Sequence, residues 1–472
     1  MGSLVFYDVV FMILFCVGAF LILRKNKENL KRQGWMFLYH TKVGIKLMDW
    51  TVKKFEKFLK PLSYVVITSG YILMISILWM ISKTVWVYVT SPIPKELKNL
   101  PPIAPLIPYF PKLFGLESFF PPLYFTYFLV ALAIVAVSHE FSHGIFARLW
   151  KIKVKTTGLA FFGPFFGAFV EPDEKQMAKA PKKHQLSILA AGTFANVLMT
   201  IIFGLLLWGF FAISFAPGGV IFNDYARSIV NVSDITHIGN ISIVNVQNIP
   251  NLTIEGLNEI IVSGKKYYAQ EKILSVDILN NNEQIIVFDD TPALHAKLIG
   301  AITSIDGNLI RNQEDLSRVL SEIAPGKTVR IVTANGEGSE MSYDIELIEK
   351  NDKAYLGIAF YAQRTEGFKG KMSAIISEIK NPNIYYETTW DGDFVQFIYD
   401  LLWWIVMINI LVALMNMLPV SILDGGRFFY LTIAGITGRN EFGKKAYSLI
   451  TWFILFLIIA MTGKWFINFI IN

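Results

Sequence analysis

Residues 138–144 read Ser138-His139-Glu140-Phe141-Ser142-His143-Gly144, and they close an uncharged apolar run that extends from Leu123 to Val137. On a helix, His139 and His143 stand one turn apart on the same face. That spacing suits two imidazole ligands of one Zn²⁺, with Glu140 beside them to take a proton from bound water. Three ionisable groups at the end of such a run are costly in lipid unless they are partnered, so a chance pattern at a helix end is the weaker reading. The stretch therefore points to a helical membrane fold with a metal at membrane depth.

Composition agrees. Hydrophobic residues make up 53% of the 472 and charged residues 17%, with a mean hydropathy of +0.46, which excludes an ordinary soluble domain. The single cysteine, Cys16, lies in the first apolar segment, so neither a disulfide framework nor a cysteine zinc site is available. Any metal must use histidine and carboxylate.

Six apolar segments predict six spans, near Val5–Leu23, Ser63–Val89, Leu123–Val137 with the metal motif, Gln185–Phe215, Leu401–Leu418 and Tyr447–Phe469. Charge segregation orients them. Residues 24–62 carry 11 Lys and Arg against 3 acids, and residues 148–184 carry 8 against 3, so both are expected on the cytoplasmic side. Residues 217–390 have 15 basic and 22 acidic residues, and all three glycosylation sequons (Asn231, Asn240 and Asn251) fall there, which fits the outside. Both termini are then outside.

The first span reads as a retained anchor rather than a cleaved signal, because no small-residue cleavage site follows Arg24-Lys25. Ile45, Met48, Val52, Phe55 and Leu59 make a helical stripe, so residues 1–62 read as an anchor followed by a basic amphipathic segment on the inner membrane surface. Residues 63–122 hold the second span and a loop with nine of the chain's 19 prolines, either a lipid-skimming cap or an inert linker. Residues 123–216 are the first half of the membrane core, 217–390 an extracytoplasmic region and 391–472 the second half.

Within the extracytoplasmic region, Ile302-Thr-Ser-Ile-Asp-Gly307, a helical stretch near Glu314–Ile323, and Pro325-Gly-Lys-Thr-Val-Arg-Ile-Val332 alternate strand, helix and strand. This resembles the second half of a PDZ domain, at about 290–362. The segment Thr291–Gly300 matches the usual approach poorly, which puts a competent peptide groove in doubt. Residues 217–290 show strand signals without an assignable order.

Two histidines leave a zinc site incomplete, since catalytic zinc takes three protein ligands. His40, His184, His237 and His295 lie outside the apolar spans. The best third ligand is Asp424, in Asn416-Met-Leu-Pro419-Val-Ser-Ile-Leu-Asp424-Gly425-Gly426. From Leu123 to His139 is 16 residues, about 24 Å at ~1.5 Å per residue, which puts the first ligand in the cytoplasmic third of a ~30 Å core. Asp424 ends a span descending from the same side. Pro419, Gly425 and Gly426 break helical geometry there, tolerable at depth only in a protein-lined or wet setting.

These residues resemble the site-2 proteases, intramembrane zinc metalloproteases marked by a His-Glu-x-x-His helix and a later Asn-x-x-Pro-x-x-x-x-Asp-Gly segment. The resemblance runs from about Leu123 to Arg427. It takes in Gly158–Pro172, similar to the family's membrane-associated hairpin, and Gly192-Thr-Phe-Ala-Asn196, similar to its Gly-x-x-x-Asn helix start. Ser421 and Thr193 stand where many members have proline.

The resemblance implies a polytopic α-helical membrane protein with a mixed α/β extracytoplasmic insert between spans 4 and 5. It implies that His139, His143 and Asp424 bind Zn²⁺, that Glu140 is the general base, and that Asn196, Asn416, Pro419 and Gly425 contact substrate or support the site. Expected partners are the lipid bilayer and membrane proteins with a single transmembrane helix, cut near the cytoplasmic side after trimming outside, and not nucleic acid. The expected location is the cell membrane of a prokaryote. Two alternatives remain: a membrane zincin of the prenyl-protein peptidase type, with a Glu as third ligand, and a non-catalytic zinc-holding scaffold or transporter.

Overall fold

A computed structural model describes residues 2–25, 30–33, 36–90, 106–117, 119–162, 165–243, 245–279, 282–335, 339–360 and 380–471. The chain divides into two compact units, Met1–Phe211 with Asp393–Asn472, and Ala212–Gly392. Among the described residues, six helices are long and apolar enough to cross a membrane: Leu4–Lys25, Ile45–Tyr88, Phe125–Leu149, Lys182–Ser214, Gly392–Asn416 and Asn440–Gly463. All but a few residues of these lie in the first unit. The chain is an integral membrane protein.

Helix α1, Gly2–Lys25, closes on Arg24 and Lys25, cations at the carbonyl end of a helix. Helix α2, Ile45–Thr90, runs 46 residues, about 69 Å at ~1.5 Å per residue and more than twice a ~30 Å hydrocarbon core. Its lysine-rich first third therefore stands beyond the core. Short helix α3, Phe110–Leu113, precedes helix α4, Phe125–Leu149, which carries the metal motif; α5, Glu174–Lys179, and α6, Lys182–Ser214, follow. After the second unit come Gly392–Asn416, a short helix Asp424–Thr437, and Asn440–Ile471.

Two kinds of element occupy the basic amphipathic segment expected within 24–62. Strands β1, Leu30–Gln33, and β2, Met36–Thr41, form a hairpin there, and residues from Ile45 onward belong to α2. The hairpin exists because β2 pairs along its length with β3, Val154–Phe162, from Thr41↔Thr157 to Phe37↔Phe161. The apolar stripe faces protein, with Met48 and Leu59 buried, while Phe55 is exposed. Strand β4, Phe165–Pro172, completes an antiparallel sheet in the order β1-β2-β3-β4, so the paired strands expected at Gly158–Pro172 are present and β4 is the sheet's edge among the described residues.

Of the proline-rich loop, residues 91–105 and 118 lie outside the described residues. The described residues between 106 and 124 pack into protein. Phe110, Leu116 and Leu123 are buried with Tyr127 and Trp404 in one cluster, and Trp404 Nε1 donates to the Pro122 carbonyl at 3.0 Å.

Asp8 of α1 is buried beside that segment. It accepts from Phe125 N (2.7 Å), Thr126 N (2.9 Å), Thr126 Oγ1 (2.6 Å) and Tyr109 Oη (2.5 Å). A helix start within a membrane needs acceptors for its unbonded N–H groups. α4 has no capping side chain of its own, and Asp8 supplies one from another helix.

The second unit holds two apolar cores. One sheet runs in the order 340–346, 328–334, 301–305, 215–221, 384–388, with helix Gln313–Glu322 beside it. It contains the strand–helix–strand pattern read at 302–332; of the stretch 290–362, residues 336–338 and 361–362 lie outside the described residues. Asn312 caps the helix by accepting from Asp315 N at 2.8 Å. The unassigned stretch 217–290 supplies most of strand Phe215–Ile221 to this sheet and builds all of a second, six-stranded antiparallel one, ordered 227–231, 284–289, 265–270, 257–262, 235–238, 241–242.

Candidate metal centre

Helix α4 holds His139 and His143 at 6% and 8% exposure with their Nε2 atoms 3.0 Å apart. Asp424 is the first residue of its short helix, and its Oδ2 lies 3.1 Å from His139 Nε2 and 3.2 Å from His143 Nε2. The three atoms form a nearly equilateral triangle. Ligands ~2.0–2.1 Å from a tetrahedral zinc are about 3.3 Å apart, so the donor set fits zinc with adjustments of a few tenths of an ångström.

The chemistry of the donors points the same way. His143 Nδ1 lies 2.6 Å from the Ile188 carbonyl and can only donate to it, which leaves a lone pair on Nε2 of the neutral ring. His139 Nδ1 lies 3.1 Å from the Asn196 side-chain amide, which is fully buried and also 3.4 Å from Ser138 Oγ. The amide presents Nδ2 to that nitrogen. A His139 ligating through Nε2 would carry its proton on Nδ1, and the amide would turn to offer Oδ1 as its acceptor. Lone pairs of two imidazoles and a carboxylate then converge within 3.2 Å. They repel unless a cation lies between them.

Gly192 of α6 makes the space. A Cβ there would lie 2.5 Å from His143 Nε2 and 2.6 Å from His139 Nε2, so only a hydrogen fits beneath the ligand atoms. Gly425 serves Asp424 in the same manner. Its Cβ would meet Met417 C and O at 2.3 and 2.4 Å, so glycine lets the short helix start hard against the end of Gly392–Asn416. Pro419 is buried in that turn and its carbonyl accepts from Thr451 Oγ1 at 3.1 Å. Asn416 ends the helix half-buried, with no side-chain hydrogen bond among the described residues.

Glu140 also lies near the pair, its ligand atom within 4.8 Å of theirs. Its Oε2, however, accepts from Val170 N on edge strand β4 at 2.9 Å. Of the two carboxylates, Asp424 is equidistant from both imidazoles, and Glu140 is held to one side by the sheet. The arrangement suits Asp424 as ligand and Glu140 as base.

A cavity of about 710 Å³ opens on Glu140, His143 and Asp424, with Lys31, Arg32 and Arg427 also on its wall. A second, apolar cavity of about 440 Å³ shares Glu140, Phe169 and Val170 with it. Of the remaining histidines, His40 lines the first cavity and bonds Thr156 Oγ1 at 3.2 Å, and His184 stacks on Trp150 at 3.7 Å. Neither joins the metal set.

The roles of Ile188, Gly192 and Val170 were not expected individually. Gly192 had a signal: a glycine inside an apolar helix costs about 1 kcal/mol and marks a close approach. A backbone carbonyl and a backbone amide have none.

Comparison with known proteins follows this geometry. A 72-residue segment, 15% of this chain and 20% of the relative, is 42% identical to an uncharacterised protein of Methanocaldococcus jannaschii. Over 243 residues, 43% of this chain and 66% of the relative, it is 24% identical to a Fusobacterium nucleatum protein named "putative zinc metalloprotease". The matches thus span a fifth and just under two thirds of those relatives. The family model described as peptidase family M50 matches residues 127–460, which include both histidines, Glu140 and Asp424. That is well over half of the 472 residues, and the chain belongs to peptidase family M50.

Proposed function

We propose that the chain is an intramembrane zinc endopeptidase that cuts single transmembrane helices near their cytoplasmic ends, in regulated proteolysis after another protease trims the substrate outside. The observation that carries this reading is the triangle of His139, His143 and Asp424 beside a separately held Glu140. Charge segregation supports both termini and the 212–392 unit lying outside, in a prokaryotic cell membrane. The PDZ-like part of that unit would act as a size filter or tether.

Zinc held by the three ligands supplies Lewis acidity to water and to the scissile carbonyl. Glu140 takes the proton from the attacking water and returns it to the leaving amine. Its bond from Val170 N fixes one carboxylate oxygen and leaves the other for the proton. Spanning helices protect their peptide bonds by internal hydrogen bonds, and the edge of β4, apart from the Val170 N–H that holds Glu140, offers replacement partners to an unwound segment. Asn416, with no side-chain hydrogen bond among the described residues, would serve the same backbone, and Asn196 orients His139.

A Glu third ligand, as in the prenyl-peptidase alternative, is disfavoured because Asp424 occupies that position. A scaffold or transporter does not call for Glu140. Co-expression with a single-span substrate tests the proposal. Glu140→Gln should keep zinc and stop cleavage, and unchanged turnover would defeat it.

A further inference from the structure

The three sequons are exposed at their asparagines but differ in what surrounds them. Asn231 is tied at both ends of its amide: Gln284 Nε2 donates to Oδ1 at 3.1 Å and its own Nδ2 donates to Asp234 Oδ2 at 3.2 Å. At Asn251 the hydroxyl of Thr253 donates to the Pro250 carbonyl at 3.0 Å, folding the sequon back on itself. Asn240 is different. With Gly239 at φ 53° it forms a two-residue hairpin turn between Ile235–Ile238 and Ile241–Ser242. Neither Asn240 nor Ser242 makes a side-chain hydrogen bond among the described residues, and both are exposed.

The turn leads into the edge of a sheet. Ile241–Ser242 is the outer strand of the six-stranded sheet, two residues long, with Ile241 50% exposed. An exposed edge with an apolar side chain invites pairing with another chain. A bulky, hydrated group on the adjoining turn would cover it.

We propose that Asn240 is an N-glycosylation site whose glycan shields this sheet edge. The donor class is an oligosaccharide linked to a polyprenyl phosphate or pyrophosphate. Asn240 Nδ2 attacks the anomeric carbon, the C–N bond forms, the bond from that carbon to the phosphate oxygen breaks, the lipid phosphate leaves, and the amide proton passes to the transferase's base. Ser242 is the hydroxyl residue that completes the acceptor. The inference rests on the 212–392 unit lying outside.

The test uses full-length chain from its own membranes, with mass spectrometry of the peptide containing Asn240. In parallel, exposed Lys265 is labelled on intact cells with a membrane-impermeant amine reagent. The expected result is a multi-sugar mass on Asn240, lost in Asn240→Gln and Ser242→Ala and kept in Ser242→Thr and Asn231→Gln, together with Lys265 labelling on intact cells. Lys265 labelled with Asn240 bare overturns the glycosylation site and leaves the sidedness standing. Lys265 labelled only after lysis overturns the sidedness, and the glycan with it.

Discussion

Gly192→Ala probes the metal centre without touching a ligand. The added methyl would sit 2.5 and 2.6 Å from the two Nε2 atoms, whereas ordinary contact is about 3.5 Å, so α6 or both imidazoles must shift by about 1 Å. His143 cannot yield freely, because its Nδ1 is bonded to Ile188 on the same helix that carries the methyl. Overpacking of this kind costs about 1–3 kcal/mol. If it falls on the metal-bound geometry, zinc affinity drops about 5- to 150-fold, at 1.4 kcal/mol per factor of ten. The assay is zinc competition against a chromophoric chelator in detergent, with thermal unfolding of both proteins as the control for gross misfolding. Zinc affinity within twofold of the parent at equal thermal stability would refute the idea that the three donors meet over Gly192.

Val170→Pro removes the N–H that holds Glu140, along with a side chain that lines both cavities, at an edge strand where proline is tolerated. A hydrogen bond to a charged group contributes about 1.5–3 kcal/mol, so kcat/KM should fall about 10- to 100-fold while zinc content is unchanged. Asp8→Ala orphans the amides of buried Phe125 and half-buried Thr126, at up to about 1–3 kcal/mol each, and hydrogen exchange at those two positions should accelerate ahead of the rest of α4. Outside the membrane, Asp306 accepts from Lys327 Nζ at 2.9 Å and Arg330 N at 2.8 Å, which together hold its carboxyl below the usual carboxylate value. A depressed folded pKa stabilises fully above the unfolded value of about 3.9 and is lost as pH falls through the folded one. Exchange protection of residues 301–346 should therefore weaken on acidification below about pH 4, and Asp306→Asn should flatten that response.

What could be read beforehand follows the physics of locality. His139 and His143 are one turn apart on one helix, and an apolar run ending in charges is visible without any tertiary knowledge. Asp424 is 285 residues from His139, yet its glycine context and matching depth were enough to pair them. The β1–β2 hairpin was missed because nothing within 30–41 outweighs the helical stripe beginning at Ile45; the strands exist through their pairing with Val154–Phe162. The order of the six-stranded sheet was equally hidden, since 227–231 pairs with 284–289 across some fifty residues. Asp8 is an acid within the first span, and only the structure brings it to the first turn of α4. Helix periodicity is written in neighbouring residues, whereas strand partners and trans caps are chosen by the fold.

The most direct measurement is made on purified chain reconstituted in lipid vesicles with a single-span peptide, following the product mass before chelation, after chelation and after zinc is restored. The account predicts one cut inside the span near its cytoplasmic end, abolished by the chelator, recovered with zinc, and absent throughout for Glu140→Gln. Cleavage that survives chelation, or that proceeds equally with Glu140→Gln, would contradict it.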